Sequence, residues 1–170
     1  MIRTVGTILL LTASISLGFG AAGGLKARVQ DLKMLIHSLE IMERELEAHL
    51  TPLPQLLEMA SNSTKKNVKE FYSLCKSGLD RQNGHSFCGI WSNAAEAAQL
   101  RILEQDLQLL VELGSVLGRY DAAGQCCALM ETREKLTFAL TEAEIQKNRL
   151  GNVYTTLGIA SGAILCIVLW

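Results

Sequence analysis

Only two prolines occur in the chain, Pro52 and Pro54, and both sit in one tetrapeptide. Elsewhere no ring removes a backbone donor, so helices can run without interruption. Aromatic residues make up 5% of the sequence, and alternating β-branched stretches are scarce, which leaves little to specify strands. Neither sign of charge is in excess, the net charge being −1. That balance lacks the electrostatic footprint of a nucleic-acid binder. A Gly-x-x-x-x-Gly-Lys loop is missing, which excludes nucleotide hydrolysis by that route. Cysteine is present but does not form a disulfide framework. The count of five is odd, Cys126 and Cys127 are adjacent, and Cys166 lies in an apolar run. Free thiols in a reducing compartment fit better.

Long hydrophobic runs are what the chain does have. Residues 5–25 and 150–170 are apolar and uncharged, and each makes about 30 Å of helix, enough to cross a hydrocarbon core. The expected organisation is a membrane helix within 1–25, a helical domain over 26–149 and a second membrane helix over 150–170. The first run also reads as a signal peptide, with Arg3 before it and Gly20-Ala21-Ala22-Gly23 as a cleavage site. Basic residues favour the anchor. Lys26 and Arg28 follow the first run and Lys147 and Arg149 precede the second, so the positive-inside bias puts the middle domain in the cytoplasm.

Between the runs the periodicity is helical. Leu25, Val29, Leu32, Ile36, Leu39, Met42, Leu46 and Leu50 recur at three- and four-residue steps, one apolar stripe on a long helix. Thr51 and Pro52 are expected as the N-cap and first residue of a short second helix over 52–60, with Ser61-Asn62-Ser63 as a turn. A third helix is expected over 64–79 with Val68, Phe71 and Cys75 inward. Asn83-Gly84 marks a loop, and Ser86 caps a fourth helix carrying Phe87, Ile90, Trp91 and Ala94. A fifth spans roughly 100–117, with Leu103, Leu107, Leu110, Leu113 and Leu117, and stops at Gly118 in the left-handed region. Asp121 then caps a sixth, whose stripe of Leu129, Leu136, Leu140, Ala143 and Leu150 runs into the second apolar segment. The fold class is all-α, a six-helix antiparallel bundle between two membrane helices.

Chemistry-bearing constellations are few. His85-x-x-Cys88 with Cys126 and Cys127 makes a poor zinc set, because adjacent cysteines cannot both take tetrahedral positions easily. Cys75 or Cys88 paired with His37, His49 or His85 has no local nucleophile signature. Lys65, Lys66 and Lys69 read as a solvated face first and a contact for anionic lipid or an acidic partner second. Gly158-x-x-x-Gly162, and Ser14, Gly18 and Ala22 in the first run, are small-residue faces that let membrane helices approach closely. Gly114 lies inside a helix at a cost of about 1 kcal/mol against alanine. A close neighbour or mere tolerance accounts for it, and with Gly118 and Asp121 it reads as structural punctuation. No cofactor, metal, nucleic acid or small-molecule substrate is expected, and no catalytic residue.

Leu113-Gly114-x-x-Leu117-Gly118-x-x-Asp121 followed by Gln125 resembles the signature of the stage III sporulation protein AB family of endospore-forming bacteria. Leu39-Glu40, Glu45-Leu46 and Thr51-Pro52-Leu53-Pro54, with Gly18-Phe19, Trp91, Asp106 and Lys147-Asn148, fall in register along the whole chain. Ala48 and Gly124 depart from the pattern, and Gly124 is expected to weaken the start of the sixth helix. The resemblance implies a non-enzymatic part of the membrane assembly encoded by one sporulation operon, in the mother-cell membrane around the forespore. It implies as partners the other membrane proteins of that operon and its cytoplasmic hexameric ATPase, the AA protein. It also implies a soluble part similar to the platform proteins of type II secretion and type IV pili. A two-pass sensor or adaptor with a helical ligand-binding domain is the alternative.

Overall fold

The structure, a computed structural model, describes residues 2–81 and 86–169, with side chains described over 23–81 and 86–150 and at Gly20, Val153, Thr156 and Ala160. These residues form six α-helices and no strand: α1 Ile2–His49, α2 Leu53–Ser63, α3 Lys66–Asp80, α4 Phe87–Ala97, α5 Glu104–Val116 and α6 Ala122–Leu169. Among the described residues no helix is long and apolar enough to cross a membrane. Most side chains of the two apolar runs, those at Gly158 and Gly162 included, are not among the described ones, and the Asn83-Gly84 loop with His85 lies outside the described residues.

Two units divide the chain, 1–29 with 142–170 and 30–141; α1 and α6 contribute residues to both. In the first, Val29 and Ala143 are buried and Arg28 Nη1 donates to Gln146 Oε1 at 3.1 Å. In the second, the predicted stripe of α1 turns inward at Leu32, Leu39, Met42 and Leu46, joined by Leu35. Buried with them are Leu56 and Leu57 of α2, Phe71, Tyr72 and Cys75 of α3, Trp91 of α4, Leu110 and Leu113 of α5 and Leu129 and Leu136 of α6. A fully buried side chain of this size contributes about 1.5–3 kcal/mol. At the centre stands an aromatic cluster, with Phe71 edge-on to Trp91 at 4.7 Å and tilted against Tyr72 at 4.8 Å. The Tyr72 hydroxyl shares a 2.7 Å hydrogen bond with Ser38 of α1, so the buried phenol is satisfied.

Caps specified by neighbouring residues form where expected. Ser86 Oγ accepts from Gly89 N–H at 3.3 Å, Asp121 Oδ1 accepts from Gly124 N–H at 3.0 Å, and Gly118 follows α5 at φ +76°. Elsewhere the boundaries differ from expectation. Thr51 does not cap α2; Pro52 occupies the cap position without a side-chain bond. Thr51 is drawn back to α1, its N–H and Oγ1 both 3.4 Å from Glu45 acceptors. The serines at 61 and 63 continue α2, because Ser63 Oγ bonds the Ala60 carbonyl at 2.9 Å and Ser61 meets Ser73 of α3 at 3.0 Å. Thr64 lies just past α2 and α3 begins at Lys66. α5 starts at Glu104 rather than near 100; Asp31 of α1 accepts from Arg101 N–H at 2.9 Å and holds the preceding residues in a turn and bend. Leu50 and Leu103, expected inward, are 68% and 44% exposed.

Candidate functional site

The signature residues gather at the end of the 30–141 unit where α5 turns into α6, and each has a local task. Gly114 is one of the places where α4 meets α5. An added Cβ would lie 2.5 Å from Trp91 Cγ and 3.0 Å from its Cβ, closer than packed carbon atoms approach. Trp91 therefore presses the Cδ1–Nε1 edge of its ring against a bare stretch of helix, its Nε1 donating to the Leu110 carbonyl at 2.6 Å. Of the two accounts the sequence left open, close packing is the one observed, and Gly114 is a contact surface rather than punctuation.

One turn later the corner closes on itself. Gly118 takes the left-handed conformation that a side chain resists. Its N–H donates to Gln125 Oε1 at 3.2 Å, and Gln125 Nε2 donates to the Tyr120 carbonyl at 2.7 Å. Gln125 thus pins both sides of the loop while Asp121 caps α6. Gly124 supports this cap: a Cβ there would sit 2.9 Å from Asp121 Oδ1 and 3.2 Å from Tyr120 Cβ. Leu53 reaches the same place, with its Cδ2 3.4 Å from where a Gly118 Cβ would stand. The Thr51–Pro54 stretch and the α5–α6 corner are therefore one surface joined through Leu53 and Gly118. Pro52, Pro54, Arg119, Tyr120 and Asp121 are exposed on it.

Asp106 does not belong to this surface. It is buried at the opposite end of α5, where its Oδ2 accepts from Leu103 N–H at 3.2 Å and its charge suits a helix N-terminus. Trp91 is likewise interior. Gly158 and Gly162 fall within α6 but outside the described side chains, so the structure does not bear on the membrane-helix packing expected of them. Sequence reasoning overlooked Leu50 and Tyr120, which are 68% and 60% exposed and flank the corner. Leu50 continues the α1 stripe in register, and only its backbone, left-handed at φ 51°, turns it outward.

Charges of both signs stand near the corner. Glu43 pairs with Arg133 at 2.9 Å and accepts through its carbonyl from Cys126 Sγ at 3.8 Å. Burial pushes the Cys126 thiol up, reinforced by Glu47 and Glu43. Farther in, burial raises Cys75 to about 12, and an un-ionised interior thiol is a poor nucleophile. Among the described residues no group of three or more His, Cys, Asp or Glu could hold a metal ion.

A family model described as stage III sporulation protein AB matches residues 3–170. A solved structure titled stage III sporulation protein AB (SpoIIIAB) superposes with a TM-score of 0.66 at 19% identity, covering 72% of this chain and 98% of that one. At that identity the likeness concerns the fold. No curated protein matches the chain. With the signature residues building one corner and the family model running over nearly the whole sequence, the chain belongs to the stage III sporulation protein AB family.

Proposed function

We propose that the chain is a non-enzymatic membrane component of a sporulation-specific assembly, coupling a cytoplasmic ATPase to the membrane proteins of the same operon. In this reading 1–25 and 150–170 are membrane helices in contact with lipid, packed through the small-residue faces at Gly158 and Gly162, and 26–149 lies in the mother-cell cytoplasm. The surface made by Thr51–Pro54 and the α5–α6 corner meets the ATPase, by analogy with the platform proteins of type II secretion. Family membership supports the sporulation role. The observation carrying the placement is that Gly118, Asp121 and Gln125 all serve to fix one exposed corner. A bundle needs only a loop there; a corner braced on both sides holds Tyr120 and Pro54 in a defined position, as recognition demands.

Pro54→Glu and Tyr120→Lys alter exposed side chains without touching the core. Both are expected to lower spore yield and the co-purification of the ATPase with the full chain. Normal yield and undiminished co-purification would refute the placement. Sidedness is tested at Cys127, the exposed thiol: an impermeant maleimide should label it only after the cells are opened.

A further inference from the structure

Between the end of α1 and the first turns of α6 lies a cleft of about 410 Å³, lined by Leu46, Glu47, Leu50, Ala122, Ala123 and Cys126. Its size is that of small ligand pockets. Leu46 is buried, while Leu50 and Glu47 stand exposed at its edge. Ala122 and Ala123 keep the α6 side open simply by being small.

Two independent features say what fits there. Leu50 combines a left-handed backbone with a side chain 68% exposed. Both are unfavourable in the free chain, and cover by an apolar group would offset them. The second feature is charge. Glu47 and Glu43 both act on Cys126 and both push its thiol up. Glu43 is held by Arg133, whereas Glu47 has no ion-pair partner among the described residues. The cleft is therefore apolar inside with an uncompensated carboxylate at its mouth.

We infer that the cleft seats an apolar side chain from another protein, on a segment with lysine or arginine beside it, so that Leu46 and Leu50 enclose the apolar group and Glu47 takes the cation. This rests on the reading of the corner as a partner-facing surface and adds the chemistry of what docks.

The test uses the full chain with Cys88→Ser, Cys127→Ser and Cys166→Ala, leaving Cys126 as the accessible thiol beside buried Cys75. The Cys126 thiolate attacks cationic and anionic methanethiosulfonates alike, expelling methanesulfinate, so their rate ratio, normalised to that with a free small thiol, reads the local field. The cationic reagent should react faster by roughly fivefold, and the ratio should fall toward unity in Glu47→Gln. Equal rates in the parent overturn the inference. The occupant is then identified with a benzophenone side chain at exposed Ala123 in sporulating cells, mapping the crosslink by mass spectrometry. A crosslink to another protein at an apolar residue adjoining lysine or arginine, reduced several-fold by Glu47→Lys, is the expected result. Capture of a second copy, of lipid or of a segment without a basic residue overturns it, as does no crosslink. Loss of partner with Tyr120→Lys but indifference to Glu47→Lys would leave the corner reading standing and remove this inference alone.

Discussion

Gly114 and Trp91 form a pair in which the absence of one methyl group sets the approach of α4 to α5. Alanine at 114 forces the indole aside or the helices apart, and overpacking of this kind costs about 1–3 kcal/mol. Urea unfolding of Gly114→Ala should show that loss, and a Trp91→Leu background should remove much of it, since the two changes share one contact. Titratable groups in the core give a second expectation. Burial holds the Cys75 thiol up from 9.0 to about 12. It raises the Tyr72 phenol too, with a smaller contribution from Cys75 and an opposing one from the Ser38 hydrogen bond. The folded chain keeps these protons where the unfolded chain releases them. Stability is therefore full below pH 9.0 and falls as pH climbs from 9.0 toward 12, by at most about 1.4 kcal/mol per unit for the thiol. Cys75→Ala should remove much of the loss between 9.0 and the tyrosine's ordinary 10.0, leaving the smaller contribution of Cys126, as read from denaturation midpoints across that range.

At the level of elements, the α5–α6 corner shows what a sequence makes legible. Gly118 and Asp121 were placed correctly because a left-handed glycine and an aspartate cap act on atoms a few residues away. The same holds for Ser86. Thr51 and the start of α5 went astray because their backbone and side-chain partners sit on another helix, Glu45 in one case and Asp31 in the other. Periodicity found the buried face of α1 but could not reveal that the chain reverses hand at Leu50 and turns that leucine outward. Nor could it say that Gln125 joins Gly118 to Tyr120, since many glutamines near a helix start simply meet water. Removing one cap should cost about 1 kcal/mol. Asp121→Ala is expected to lower the urea midpoint by that amount. Gln125→Ala should do the same and also accelerate amide exchange at Gly118, whose N–H it receives.

For the molecule as a whole, the core of the 30–141 unit draws on all six helices. A fragment spanning 26–149 should thus be helical by circular dichroism and unfold in a single cooperative transition. The proposed anchors predict opposite behaviour from the two forms in fractionation. The full chain should stay with membranes through an alkaline wash, while the fragment should appear in the supernatant. Recovery of the full chain in the wash would argue against the anchors without affecting family membership, which rests on the match over 3–170.

The indole lying on bare backbone has a consequence for how this chain can diverge. Positions 91 and 114 do not vary freely: a lineage that gains a side chain at 114 must first, or soon after, shrink the ring at 91. Aligned homologues should accordingly show the two sites substituting as a couple, tryptophan always facing glycine. Sequences that combine tryptophan with a branched residue there, and still form spores, would show that the interlock described for this protein is dispensable.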